Sequence, residues 1–250
     1  MTAANQPGVA IFGATSAIAQ AVARIYAGEG ARLFLAGRNE THLDAIASDL
    51  RVRGATDVRV HVVDFGVANS CASACEAARA ELGRIDVALI AHGTNVDQAS
   101  CERDDAALRE AIQVNFTSYA SLLVRIAAIM EAQRSGSLVA IGSAAGDRGK
   151  RRNYIYGSAK AGIAVLMEGL MGRLSRAGVR VTLVKPGFVD TPMTASFRKG
   201  PLWISSSTAG RLIVRAVRAG KSTVYIPGFW RWVMTVLSLV PQRIFARLDL

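Results

Sequence analysis

Ser143, Tyr156 and Lys160 are the residues of this 250-residue chain whose types and spacing best suit chemistry. Tyr156 and Lys160 are four apart, so a helix puts them on one face. A free phenol holds its proton up to a pH of about 10. A lysine ammonium beside it favours the phenolate, which predicts a lowered value and a proton available for general acid–base work. Ser143 follows the apolar run Ser137 to Gly142, which reads as a strand, so it falls at the carboxyl edge where open α/β sheets bind ligands. Its hydroxyl can hold a carbonyl oxygen while Tyr156 protonates it. A Tyr/Lys pair at this spacing is common by chance; the upstream serine, between a strand and a Gly-containing loop, makes coincidence a weaker explanation.

The first apolar run, Val9 to Phe12, leads into Gly13-Ala14-Thr15-Ser16-Ala17-Ile18-Ala19. Such a strand-turn-helix lets backbone N–H groups and a helix N-terminus meet a pyrophosphate, provided the turn residues are small. Gly13, Thr15, Ser16, Ala17 and Ile18 are therefore candidate cofactor contacts, although an ordinary tight turn explains the segment equally well. Ala17 and Ala19 stand where glycines are usual. The second strand ends at Ala36-Gly37-Arg38, where a site for NAD usually carries an acid for the ribose 2′-hydroxyl. Arg38 can instead pair with a 2′-phosphate, which favours NADP(H) over NAD(H). A solvated loop arginine is the alternative.

These residues need a sheet to position them, and the pattern supplies one. Strands are expected at 9–12, 32–36, 58–63, 87–91, 137–142, 180–184 and 223–226. Helices are expected at 17–28, 41–54, 68–82, 105–134, with a break near its start, and 154–176. Strands apolar throughout and separated by helices imply a parallel sheet covered on both faces. The fold class is α/β: a single-domain Rossmann fold, doubly wound, with a parallel seven-stranded sheet. Residues 1–227 form the expected NADP(H)-binding domain and 228–250 an amphipathic tail.

Thirty Lys/Arg against nineteen Asp/Glu give a net charge of +11, which attracts anions without choosing among them. No nucleic-acid recognition motif accompanies it. The cysteines, Cys71, Cys75 and Cys101, are odd in number and lack C-x-x-C spacing, so neither a disulfide framework nor a metal site is expected. Cys71 and Cys75 read as packing residues on one helix face. The polar start of the chain predicts no secretory signal, and no uncharged apolar stretch of about twenty residues predicts a spanning helix.

Nearly the whole chain resembles the short-chain dehydrogenase/reductase family. That family has, in order, a Gly-rich turn, an acid after strand three, a helix Asn, Ser, Tyr-x-x-x-Lys and Pro-Gly. The matching positions are Gly13, Asp64, Asn115, Ser143, Tyr156, Lys160 and Pro186-Gly187. The resemblance implies an NADP(H)-dependent oxidoreductase acting on a CH–OH/C=O group, usually a homodimer or homotetramer. It implies that Asp64 and Phe65 lie near the adenine. It implies that Ala91 and Gly93 shape the ribose side, and that Pro186, Gly187, Val189 and Thr191 reach the nicotinamide end. Asn115 would hold a helix kink and a water in a proton relay behind Lys160, which also touches the nicotinamide ribose. The usual Asn-Asn-Ala-Gly is Ile90-Ala91-His92-Gly93 here; His92 reads as packing or cofactor shaping, with a proton role the lesser reading.

Two segments depart from a generic member. The loop Asp147-Arg148-Gly149-Lys150-Arg151-Arg152-Asn153 could clamp a substrate phosphate, or be a solvated turn or subunit contact. The tail from Pro227 to Leu248 combines Trp, an apolar run and arginines, which suits a helix or hairpin at a membrane interface, or one packed on a partner. With Ser143-Ala144-Ala145-Gly146-Asp147-Arg148 and Arg152-Asn153-Tyr154-Ile155-Tyr156-Gly157-Ser158, these segments resemble the reductase subgroup that works beside the decaprenylphosphoryl-ribose epimerases. This resemblance implies a lipid-linked 2-keto-pentose as substrate, a flavin epimerase partner, and a cytoplasmic protein at the inner face of the membrane. The alternatives are a soluble reductase of a 3-oxoacyl thioester, steroid or small ketone, and a non-catalytic NADP(H)-binding sensor or scaffold.

Overall fold

A computed structural model describes residues 6–67 and 69–247. The expected helix start at Ala68, the first residues of the polar N-terminal segment and the last three residues of the tail lie outside them.

Seven strands form one parallel sheet. In chain order they are β1 (Gly8–Phe12), β2 (Arg32–Gly37), β3 (Asp57–Val62), β4 (Val87–Ile90), β5 (Gly136–Ile141), β6 (Val179–Pro186) and β9 (Thr223–Ile226). Their spatial order is β3-β2-β1-β4-β5-β6-β9. The order reverses between β1 and β4, where Val9 pairs with Leu33 on one side and Val87 on the other. The crevice beyond the carboxyl ends of β1 and β4 is therefore the expected ligand site of a doubly wound sheet. A two-stranded ribbon, β7 (Val189–Asp190) with β8 (Ile204–Ser205), stands apart.

Every residue of β1 is buried, because successive side chains enter opposite layers. Ala10 and Phe12 join the core under α3 (Ser70–Leu82), α6 (Ser118–Gln133) and α7 (Tyr154–Leu174), with Leu122, Ile126 and Met167. Val9 and Ile11 join the other layer, under α1 (Ala17–Gly28), α2 (Glu40–Val52) and α8 (Ser206–Arg218), with Val22, Leu43 and Ile213. A Cβ on Gly210 would lie 2.8 Å from Ala21 Cβ, so glycine permits the close approach of α1 and α8. Cys71, Cys75 and Cys101 are buried and free, as packing residues should be. Burial pushes the Cys75 thiol up to about 12.

The ribbon of β7 and β8 was not expected, nor were two helices, whereas the long helix breaks near its start as expected. Helix α8 was not anticipated, although Ser205 caps it and accepts from the Thr208 N–H, and Ala209, Ile213, Val214 and Val217 line its buried face. A short α4 (Gln98–Arg103) precedes the expected long helix. That helix is divided into α5 (Asp105–Ile112), a π-helical turn (Gln113–Thr117) and α6. By length and hydropathy the helical run 105–133 could cross a membrane. Leu122, Leu123, Ile126 and Met130 are instead buried on the sheet, the position of a core helix. The tail forms α9 (Trp230–Leu239) and α10 (Gln242–Phe245), and α9 packs Trp230 and Met234 against Ala144.

Candidate active site

A cavity of about 1050 Å³ opens at the carboxyl edge of the sheet. Its lining includes every residue expected to serve catalysis or cofactor binding. Gly13, Thr15, Ser16, Ala17, Ile18 and Arg38 come from the β1 and β2 ends, and Asp64, Phe65, Ala91 and Gly93 from the β3 and β4 ends. Asn115, Ser143, Tyr156 and Lys160 lie at the centre, with Pro186, Gly187, Val189 and Thr191 beyond β6.

Gly13 turns the chain with φ +86°, and a Cβ there would lie 2.4 Å from the His92 nitrogen. Ser16 caps α1 without a side-chain hydrogen bond to the helix. The N–H groups of the first turn are therefore left to an anion. Asp64 turns its own loop, its Oδ1 accepting from the Gly66 N–H at 2.8 Å.

Lys160 is buried beside Tyr156. Its Nζ donates to the Ile141 carbonyl at 3.2 Å and lies 4.5 Å from the Tyr119 ring centroid and 5.7 Å from that of Tyr156. Tyr119 ties the floor together: its hydroxyl donates to the Ile90 carbonyl and accepts from the Ile141 N–H at 3.0 Å. Burial pushes the Tyr156 phenol up, and a hydrogen bond with the Ser143 hydroxyl opposes the rise. Burial also draws Lys160 down to about 8. The expectation of a lowered phenol is thus not met: burial is the largest cause at both groups and disfavours the charged form of each.

Asn115 sits inside the π-helical turn, at the kink the family resemblance implied. Its Oδ1 accepts from the Thr94 N–H at 3.1 Å, and its Nδ2 donates to the Ala111 carbonyl (3.0 Å) and to Thr94 Oγ1 (3.2 Å). The amide thus pins the loop after β4 to the kink. A Cβ on Gly93 would lie 3.1 Å from Asn115 Oδ1 and 3.9 Å from Lys160 Nζ, so glycine keeps the space between those two side chains clear.

His92 is a packing residue. Its ring lies between Phe65 and Tyr119, 4.6 Å from each centroid. Ser118 Oγ donates to the Val114 carbonyl and has no second proton, so His92 Nε2 donates to Ser118 at 2.9 Å. Burial, with Lys160 and Arg38 nearby, lowers the imidazole to about 3, which keeps it neutral.

The basic loop divides. Lys150, Arg152 and Asn153 line the cavity, whereas Arg148 turns away. Its guanidinium donates to the Leu237 carbonyl and to Gln242 Oε1 and stacks 3.8 Å from the Phe245 ring centroid. Arg148 is therefore no phosphate clamp; it clasps the tail. Asp147 fixes the same loop from beneath, accepting from Lys185 Nζ at 2.5 Å and from the Tyr225 hydroxyl at 2.7 Å. Tyr154 lies outside the cavity lining, and its hydroxyl donates to Glu102. Trp230, which the sequence did not mark as a site residue, forms part of the cavity wall against Gly187. The signal that could have found it is a buried-type Trp directly after a strand end, but nothing in the sequence says which loop it meets.

The model of the short chain dehydrogenase family matches residues 8–201. An uncharacterized oxidoreductase of Mycobacterium tuberculosis is 37% identical over 242 residues, covering 96% of each chain. A short-chain dehydrogenase from Sphingobium yanoikuyae, solved in complex with NADPH, superposes with a TM-score of 0.83 at 24% identity, covering 97% of this chain and 96% of that one. An actinorhodin polyketide ketoreductase with NADPH gives a TM-score of 0.81 at 22% identity, covering 92% and 99%. At those identities the two structures share the fold with this chain. The matched span contains the Gly13 turn, the Asn115 kink, Ser143, Tyr156 and Lys160, and the chain belongs to the short chain dehydrogenase family.

Proposed function

We propose that the protein is an NADP(H)-dependent carbonyl reductase. The observation that carries this reading is the convergence of Ser143, Tyr156 and Lys160 in one cavity with the α1 N-terminus and Arg38. The cavity fits a dinucleotide: small residues line the first turn, its N–H groups are uncapped by Ser16, and an arginine follows β2. Thr15, Ser16, Ala17 and Ile18 would hold the pyrophosphate, Arg38 the 2′-phosphate, Asp64 and Phe65 the adenine side, and Ala91 and Gly93 the ribose. Pro186, Gly187, Val189 and Thr191 would hold the nicotinamide end. The bound cofactor supplies a hydride to the carbonyl carbon.

The chain's own groups manage the oxygen. Ser143 holds it by a hydrogen bond, and Tyr156, whose phenol is protonated across the neutral range, delivers the proton. Lys160 has three N–H donors, of which the Ile141 carbonyl takes one. Nζ lies 5.7 Å from the Tyr156 ring centroid, where an ammonium can stabilise the phenolate as it forms. Asn115 keeps the loop after β4 clear of that space through Thr94.

For the substrate, a keto-pentose carried on a polyprenyl phosphate matches the lining best. Lys150 and Arg152 offer positive charge, Asn153, Gln98 and Glu102 offer hydroxyl partners, and Met193, Phe197 and Trp230 offer an apolar exit. The neighbours named for ketoacyl or polyketide reduction favour a second reading, a 3-oxoacyl thioester. The test is NADPH oxidation by purified protein with a panel holding a polyprenyl-phosphate keto-pentose, a 3-oxoacyl thioester and small ketones. Turnover on the lipid-linked sugar alone supports the first substrate, and turnover on the thioester transfers the reading to the second. NADPH binding with no turnover across the panel removes the reductase reading and leaves a sensor or scaffold.

A further inference from the structure

Helix α9 is apolar on two faces. The inner face is occupied: Trp230 and Met234 pack with Ala144, Tyr225, Val233 and Leu237, and Arg148 bonds the Leu237 carbonyl. On the other side Trp232, Val236 and Leu239, spaced four and three apart, form a stripe whose members are 71%, 63% and 77% exposed. Ile244 of α10 adds a fourth at 56%. Arg231, Arg243 and Arg247 flank this stripe and are exposed. Residues 211–250 contain seven Lys/Arg and one acid, Asp249.

An exposed apolar stripe that includes tryptophan, in a segment rich in arginine, selects its partner by chemistry. A second copy meeting this face about a two-fold axis would bring seven Lys/Arg of residues 211–250 against seven, with Asp249 the one acid of that segment to pair with them. An anionic lipid surface answers both features: the headgroups neutralise the arginines and the indole sits at headgroup level. The clasp through Arg148 and the buried Trp230 hold the helix rigidly, so the stripe is presented rather than folded inward. Trp230, on the inner face of the same helix, lines the cavity, so α9 is tied to the cavity wall.

We propose that the outward face of α9 and α10 docks on an anionic bilayer and holds the cavity mouth against it. The test is flotation of the full chain with vesicles of phosphatidylcholine containing phosphatidylglycerol, and with phosphatidylcholine alone. Binding should require the anionic lipid, weaken with salt, and shift Trp emission to the blue. Trp232→Ser with Val236→Ser and Leu239→Ser should reduce it about a hundredfold. NADPH titration and the melting curve check that this variant is folded, and Trp232→Ser alone should give a smaller loss in the same direction. Absence of vesicle binding by the parent chain overturns the proposal, as does equal binding by the folded triple variant. Loss of an oligomer in that variant, without any vesicle binding by the parent, assigns the face to a second copy and also overturns it. Vesicle binding is read without substrate, so its failure is distinct from failure of the reductase reading.

Discussion

Lys160 Nζ lies 5.7 Å from the centroid of the Tyr156 ring, and burial moves the two groups in opposite directions, the phenol up and the ammonium down to about 8. Tyr156 therefore carries its proton throughout the neutral range and can act as the acid in reduction. Tyr156→Phe removes that proton and keeps the ring. General acid catalysis is worth 10²–10⁴-fold, so kcat should fall about a thousandfold. NADPH affinity by fluorescence titration should stay within about twofold, because the lost group is at the oxygen and not at the cofactor phosphates. Turnover unchanged in the folded variant sinks the assignment.

The Lys160 shift predicts two pH effects of opposite sense. Reduction consumes a proton, and the ammonium that supports Tyr156 is lost as pH rises through about 8. The kcat for reduction should therefore decline above that point. For stability, between about 8 and 10.5 the unfolded chain holds a proton on Lys160 that the folded chain has released. The unfolded state binds more protons there, so this group's contribution makes stability rise with pH across that window. Lys160→Met should raise Tm at neutral pH, lose turnover, and show its thermal gain shrinking towards pH 10.5. A variant with lower Tm at every pH would show that the bond to the Ile141 carbonyl outweighs desolvation.

Arg38 tests the cofactor. It lines the cavity beyond β2, where the chain carries no acid between Ala36 and Arg38. A charge-assisted hydrogen bond contributes about 1.5–3 kcal/mol, so Arg38→Ala should weaken NADPH about ten- to a hundredfold. NADH, which lacks the 2′-phosphate, should change little. Equal losses for both nucleotides would mean that Arg38 holds the fold rather than the phosphate.

Asp147 is half-buried with Lys185, their side chains 9% and 14% exposed, and it also accepts from Tyr225. Asp147→Ala removes the partner of a half-buried ammonium and of a half-buried hydroxyl. Loss of hydrogen bonds to a charged group costs about 1.5–3 kcal/mol, which for a chain of this size lowers Tm by roughly 3–12 °C. The same loop carries Arg148 and its clasp on the tail, so tryptophan emission should move towards the red as Trp230 loosens. A melting curve unchanged from the parent would show that Lys185 finds water or another partner.

The seven parallel strands and the central site were legible because they rest on short-range signals: apolar runs, a Gly turn, and a Tyr/Lys pair one helical turn apart. The break near the start of the helix 105–134 was expected from the pattern, whereas its placement at Asn115 was readable only through resemblance. Two kinds of feature were not legible. Helix α8 was missed although its cap and the apolar positions Ile213, Val214 and Val217 are present in the sequence; what only three dimensions show is the close packing of Gly210 on α1. The direction of Arg148 was also hidden. Four basic residues in one loop look alike in sequence, and only the proximity of the Leu237 carbonyl and the Phe245 ring separates the one that clasps the tail from those that face the cavity. The lowered tyrosine expected from Lys160 failed for a related reason: sequence gives the neighbour but not the burial.

Gly13 offers a contrast of two glycines on one strand-helix unit. At Gly13, φ is +86° and an added Cβ would lie 2.4 Å from the His92 nitrogen. His92 cannot retreat, since its ring is held between Phe65 and Tyr119 and its Nε2 by Ser118. Gly13→Ala therefore combines a left-handed backbone with overpacking against main chain. A cost of about 2–4 kcal/mol is expected, with Tm lowered by roughly 4–15 °C and NADPH bound more weakly because the turn must open. Gly28, at the end of α1, is exposed and has no atom within 4 Å of the added Cβ. Gly28→Ala should be neutral or stabilising by about 0.4–1 kcal/mol, because it restricts the unfolded chain without a clash. Matched melting curves decide the point: if the two variants lose equal stability, the strain at Gly13 is not what sets the first turn.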